Sequence, residues 1–382
     1  MHKNIYLYFV FVFFSNFSIM GTFLSLYFNS IGISLSNIAT LFMIYQLSKF
    51  IFEVPTGFLA DKYGNRVSGI VGAIFILVAN IIILFSGCSF AYMLTYMIIK
   101  GIGYTFISGS VEALFINTAD NGKLGKYNAI ERLIFYSVTA FSSVIGGIIA
   151  GDFGYRICFI IDTAMVIMMI ITVLFMSEKN ISNKKSNEVQ KGYRVSKILA
   201  VILIIDFATA FSFVAVEDYY SYYLGSGFGM ASNTIGIVVA FQLLLGALIG
   251  AIVHKMNFMR LNVNYIFIGA ILSIILIIPI YMKSVNLIVI PICYTLSNTV
   301  FAIYAPIKYE LFQKNVANEH RAFFISMQSI VISFGSILFS ALNSVLGRFF
   351  EYAVVMIIAF AISLVLYMAS WIYTRSCIDL GL

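Results

Sequence analysis

Two acids, Asp206 and Glu217, stand eleven residues apart in a long apolar run. In a helix that spacing puts them on one face, about 16 Å apart along the axis. Phe213 lies on the same stripe, and tyrosines follow at 219, 220, 222 and 223. A charge at the centre of a bilayer costs at least about 3 kcal/mol on insertion scales, so each such residue needs a purpose. The deep carboxylate of Asp206 can take up and give back a proton, with Glu217 nearer the far interface. The alternative is a structural carboxylate paired with a lysine or a hydroxyl.

Other apolar runs carry charge more sparsely. One offers Lys100, Tyr104, Ser108 and Glu112, and another Lys308 and Glu310 just after Pro306, where a kink is expected. Glu131 and Arg132 open a further run. Glu112, Glu131 and Glu310 suit either proton coupling or ion pairs at a gate. Lys49 and Glu53 are four apart and should neutralise each other. Asp162 has no role in the pattern. Asn16, Tyr27, Tyr45 and Gln46, with Tyr104 and Phe213, are candidates for lining a pocket that the chain's 37 Phe, 24 Tyr and 16 Met would make adaptable.

The elements that must position these residues follow from composition. Of 382 residues, 61% are hydrophobic and 10% charged, with a mean hydropathy of +0.99. Ordinary soluble domains are about a quarter charged, so a soluble enzyme, a nucleic-acid binder and a disordered chain are excluded. Twelve runs are long enough to span a membrane: 5–28, 36–60, 67–87, 91–117, 128–150, 155–176, 197–224, 231–253, 264–282, 286–312, 322–347 and 351–374. All should be helices, since unpaired backbone cannot face lipid. The first run is too long for a signal-peptide core and reads as an uncleaved helix.

The polar stretch 177–196 divides the chain into an N-terminal bundle, 1–176, and a C-terminal bundle, 197–382, joined by a cytoplasmic loop. With both termini cytoplasmic, 17 of the 23 basic residues fall on the inner side, as the positive-inside rule requires. The +7 net charge is therefore no nucleic-acid footprint. Cys88, Cys158, Cys293 and Cys377 are scattered, and His2, His254 and His320 lie near loops; neither set forms a metal or disulfide pattern. No phosphate-binding GxxxxGK[ST] loop occurs. The halves echo each other: Gly57-Phe-Leu-Ala-Asp61-Lys62 closes the second run, Gly250-Ala-Ile-Val-His254-Lys255 the eighth.

The stretch Glu53-Val-Pro-Thr-Gly57-Phe-Leu-Ala-Asp61-Lys-Tyr-Gly64-Asn-Arg66 resembles the signature loop between helices 2 and 3 of the major facilitator superfamily. Gly57, Leu59, Ala60, Asp61, Gly64 and Arg66 fit that pattern, with one basic residue missing. Ile145-Gly146-Gly147-Ile-Ile-Ala-Gly151-Asp-Phe-Gly154-Tyr155-Arg156 resembles the end of the family's helix 5 and its Gly-Trp-Arg turn, without the antiporter proline. Met97 stands where the family's helix-4 arginine is expected. The resemblance is nearest to the drug:proton antiporters. It implies an all-α membrane protein of twelve transmembrane helices in two pseudo-symmetric six-helix bundles. It also implies a latch formed by Gly57, Asp61, Gly64 and Arg66 that holds the outward-open form, and a cavity lined by helices 1, 4, 7 and 10. Physically, Gly64 permits a turn with positive φ, and Asp61 can meet a helix N-terminus or Arg66. Gly147 with Gly151, and Gly246 with Gly250, make small faces that let helices 5 and 8 approach closely.

The expected function is proton-coupled efflux of small amphipathic molecules, cationic or zwitterionic given the acids on the seventh run. A nutrient symporter and a non-transporting sensor or lipid-handling protein are the rivals. No nucleophile–base or metal constellation lies in any span, so an enzyme is the least favoured class. The expected partners are a small-molecule substrate, protons and the bilayer of a bacterial cytoplasmic membrane. No cofactor and no nucleic acid are expected, and the chain should act as a monomer.

Overall fold

A computed structural model describes residues 2–85, 89–118, 124–178, 196–255, 263–282, 289–316 and 321–379. Most of the expected central loop lies outside these residues. So do the ends of the third and tenth runs, and Cys88, Lys123, Arg260, Lys283 and His320.

The described chain is helical, with twelve helical spans long and apolar enough to cross a membrane. In order the helices are α1 (His2–Asn16), α2 (Ile19–Ser30), α3 (Leu35–Tyr63), α4 (Asn65–Phe85), α5 (Phe90–Ile107), α6 (Ser110–Ile116), α7 (Leu124–Asp152), α8 (Tyr155–Phe175), α9 (Lys197–Tyr222), α10 (Ser232–Lys255), α11 (Val263–Ile277), α12 (Val289–Asn315), α13 (Arg321–Leu346) and α14 (Tyr352–Asp379). The first span is thus α1 plus α2, and the fourth α5 plus α6. A π-helical turn, Tyr223–Gly227, extends α9, and a 3-10 turn, Ile278–Tyr281, closes α11. Pro55 and Pro306 sit inside α3 and α12. The helical assignment runs unbroken through Pro306.

Neither break in the spans is at a proline. At Phe17–Ser18 the run Ser15-Asn16-Phe17-Ser18 puts capping residues in an apolar stretch, and such side chains compete for backbone groups. Asn16 Nδ2 and Ser15 Oγ donate back to the Val12 carbonyl at 2.8 and 3.2 Å. Ser18 is extended and accepts from the Gly21 amide at 3.1 Å. Backbone groups released at membrane depth must find partners inside the protein, and these side chains supply several. In the fourth span the break falls at Ser108–Gly109, where Gly109 has φ +75°.

Helices α1–α8 and α9–α14 form two bundles. They meet where α7 packs on α10, α3 on α13 and α2 on α9. At the α7–α10 crossing the main chains touch. A Cβ on Gly147 would come 2.5 Å from the Ser232 carbonyl oxygen, and one on Gly236 would collide with the carbonyl of Ser143. Such closeness suits helix association in lipid, where packing and not water exclusion drives contact. The small residues of the two helices thus divide: Gly147 is at the seam, whereas Gly151 and Gly250 have nothing near a Cβ and Gly246 meets Ala302 only at 4.0 Å.

Hydrogen bonds between the bundles gather at the end holding the 31–34 and 347–351 turns, here termed the closed end. Ser25 Oγ pairs with Ser221 Oγ at 3.1 Å, Asn29 Nδ2 donates to Ser226 Oγ at 2.7 Å, and Thr40 pairs with Ser344 at 2.7 Å. Ser36 Oγ donates to the Ser344 carbonyl, and Arg348 Nε donates to Ser36 Oγ at 3.4 Å. Toward the opposite end, residues of α3, α7 and α10 such as Val54, Phe58, Leu133 and Leu248 are exposed. The inter-bundle hydrogen bonds named above do not lie at that end, which is here termed the open end.

Candidate transport cavity

Between the bundles lies a cavity of about 380 Å³, within the range that binds drug-sized ligands. One wall is built at the break of the first span by Ser15, Asn16, Ser18, Gly21 and Thr22. α3 adds Phe42 and Tyr45, and α5 adds Met97, Lys100 and Tyr104. The facing wall carries Glu217, Tyr220 and Ser221 from α9, Val239, Gln242 and Leu243 from α10, and Tyr294 from α12. Spans 1, 4, 7 and 10 all contribute, as the family resemblance implied, and spans 2, 5 and 8 join them.

The geometry puts one cation and one acid on opposite walls. Lys100 belongs to the N-terminal bundle, where its Nζ donates to the Tyr96 hydroxyl at 2.6 Å. Glu217 belongs to the C-terminal bundle and is exposed to the cavity. Aromatic rings form part of the frame. Tyr220 stacks on Tyr294 with centroids 3.7 Å apart, and Tyr45 meets Tyr104 edge-on at 6.2 Å.

Comparisons with known proteins agree with this architecture. The family model for the Major Facilitator Superfamily matches residues 5–323. The chain belongs to the Major Facilitator Superfamily. The uncharacterized MFS-type transporter YxaM of Bacillus subtilis (strain 168) is 25% identical over 209 residues, covering 52% of each protein. The chain therefore spans about half the length of the curated relative it matches. A D-xylose–proton symporter structure superposes with a TM-score of 0.78 at 14% identity, covering 97% of this chain and 96% of that one. An inward-facing bacterial homologue of the iron transporter ferroportin gives 0.76 at 13% identity, covering 96% and 98%. At those identities the likeness shows the fold. The protein is a multi-pass membrane protein of this superfamily.

Of the residues expected to line an MFS cavity, Asn16, Tyr45, Tyr104, Lys100 and Glu217 do so. Four others stand elsewhere. Tyr27 packs on Tyr155 and Phe159 of α8, with centroids at 5.5 and 5.1 Å. Gln46 is half-buried in α3 outside the lining. Phe213 packs on Phe301 at 5.0 Å. Asp206, only 1% exposed, forms an ion pair with Lys308 of α12 and accepts from Gln328 Nε2 of α13 at 2.7 Å. The shared face of Asp206 and Glu217 fails because the helix leaves the cavity wall and enters the bundle core between them. Asp206 has the lysine partner that the alternative reading required.

The remaining candidate acids, Glu112, Glu131 and Glu310, lie toward the open end. Glu112 is exposed in α6, and Glu131 in α7 hydrogen-bonds Tyr8. Glu310 is exposed near the end of α12. Lys49 rests over the Tyr45 ring at 5.4 Å, within electrostatic reach of Glu53 and of Asp218 in the other bundle.

In the signature loop, Gly64 turns with φ +98°. The acid that meets the start of α4 is Glu178, not Asp61. Its oxygens accept from the Asn65 and Arg66 amides at 2.6 and 3.2 Å, while the Arg66 guanidinium donates to the Leu174 carbonyl. Asp61 is exposed, and nothing lies within 4 Å of a Cβ at Gly57.

Asp162, unassigned from sequence, takes the most definite role. Its carboxylate caps the start of α2, accepting from the Ile19 amide at 2.7 Å, the Met20 amide at 3.0 Å and Ser18 Oγ at 3.2 Å. The missed cavity residues are chiefly Ser15, Ser18, Thr22, Tyr220, Gln242 and Tyr294. Ser15-Asn16-Phe17-Ser18, an N-cap sequence within a hydrophobic run, was the available signal for the first three.

Proposed function

We propose that this transporter exports small cationic or zwitterionic amphipathic molecules across a bacterial cytoplasmic membrane in exchange for protons. It works as a monomer with both termini in the cytoplasm. The observation that carries this reading is Glu217 facing a cavity lined in part by tyrosines, with Lys100 on the opposite wall. A carboxylate next to tyrosine faces favours an organic cation, and Lys100 gives a zwitterion's carboxylate a partner. The same Glu217 is accessible to protons and to substrate, so the two can compete for it. The distribution of basic residues supports an orientation with the open end in the cytoplasm, where a cytosolic substrate would enter. The residues at Glu53–Arg66 and Gly146–Arg156 support the antiporter kinship.

The test is flux in proteoliposomes of defined orientation, with a panel of quaternary ammonium, zwitterionic and anionic amphiphiles. Proton-gradient-driven export of the first two classes is expected, and Glu217→Gln should cut cation flux about tenfold or more. Gradient-driven movement of solute and protons in the same direction would instead make the protein a symporter. Undiminished cation export by a correctly folded Glu217→Gln protein would remove Glu217 from the mechanism.

A further inference from the structure

Asp162 is a buried carboxylate that the main cavity does not use. It is 7% exposed, and both its oxygens are committed to the break in the first span. Lys100, Tyr96 and Tyr104 of α5 and Cys158 of α8 are within its electrostatic reach. α4 brings Asn80 to the same space. α7 faces this level with Ser143, which pairs with Thr22 at 2.9 Å, and with Gly146 against Ile19. A side cavity of about 40 Å³ reaches Asp162 and shares Ser15, Ser18, Lys100 and Tyr104 with the main cavity. Such a space admits about one water.

The helix that Asp162 holds is also the grip of one bundle on the other. From α2, Ser25 and Asn29 bond to Ser221 and Ser226, and Leu26 lies against Gly225. A carboxylate shut away from water keeps its charge only while donors face it. Tilting α2 at Phe17–Ser18 would remove the two amides and strand the charge. Conversely, a proton on either oxygen takes away an acceptor that the start of α2 needs.

We infer that Asp162 binds a proton delivered through the side cavity, and that this proton releases α2 and opens the closed end. The proton moves from water to a carboxylate oxygen, and the Ile19 and Met20 amides lose that oxygen as partner. Closing reverses both steps. The device is separate from Glu217 and independent of the direction of transport.

The experiment is cross-linking of Asn29→Cys to Ser226→Cys with a short bifunctional thiol reagent in membranes, followed from about pH 8 to about pH 5. In an otherwise unchanged chain, the cross-linking rate, corrected for each thiol's own reactivity, should fall about fivefold or more as pH drops. Asp162→Asn should make it independent of pH, while Glu217→Gln should leave the pH response in place. A flat profile in the unmodified background overturns the inference without any variant at 162. So does an Asp162→Asn profile that matches the parent, or loss of the response in Glu217→Gln alone. If Asp162→Asn does not reach the membrane, Asp162→Glu replaces it. That variant keeps a titratable group but displaces it from α2, so a midpoint identical to the parent's also overturns the inference.

Discussion

A methyl group on Gly236 would run into the carbonyl oxygen of Ser143, because α10 crosses α7 with main chain against main chain. Gly236→Ala must push the two helices apart or shift one along the other. Overpacking of this kind costs about 1–3 kcal/mol. A Cβ on Gly250 of the same helix meets nothing, so Gly250→Ala should lie within about 0.5 kcal/mol of the parent. Thermal unfolding of the two purified variants in one detergent checks the contrast. Equal melting temperatures would show that the crossing is not as tight as described.

The Asp206–Lys308 pair supports the C-terminal bundle from within. Removing one member leaves the other buried and uncompensated, at a cost of about 3–5 kcal/mol. Asp206→Leu should therefore destabilise strongly, and adding Lys308→Met should restore much of the loss. Unfolding midpoints of the single and double variants measure this. A stable Asp206→Asn protein that has lost proton-driven transport would return Asp206 to the coupling role that its depth in the seventh span first suggested.

Glu178 and Gly64 close the far side of the signature loop together. Gly64 has φ +98°, and a Cβ there would stand 2.7 Å from Glu178 Oε2. Gly64→Ala combines backbone strain with displacement of the capping acid, and should cost about 1–3 kcal/mol. Glu178→Gln removes the anion at the start of α4 and should cost about 0.3–1 kcal/mol. Hydrogen exchange at the Asn65 and Arg66 amides is the specific readout: it should quicken in Glu178→Gln. Unchanged exchange would mean that water or another group already caps the helix.

The spans were legible because lipid leaves so little choice. A continuous apolar run must be helical at membrane depth, and charge asymmetry divides the loops, so the ends of most runs agree with the helices to within a few residues. What stayed hidden depends on rotation about each helix axis. Asp206 and Glu217 share a stripe on an ideal helix, yet one enters a bundle core and the other a cavity, and no count along the chain reveals where that stripe leaves the wall. Asp162 was opaque for a related reason. Its partners are 142 to 144 residues away, and they exist only because the first span breaks. Ser15-Asn16-Phe17-Ser18 carried that signal, but an apolar run with two serines in it also reads as one helix. At the α7–α10 seam, Ser143-x-x-x-Gly147 and Ser232-x-x-x-Gly236 were visible as small pairs. Attention to glycine pairs alone favoured Gly246 and Gly250 instead.

The bare crossing of α7 and α10 also limits how the molecule can change shape. Two main chains already in contact leave no slack to be taken up, and lipid offers nothing to fill a gap between them. The remaining freedom is rolling about a line that stays put, like a door on its pin. Whatever volume the cavity gains at one mouth must then be surrendered at the other.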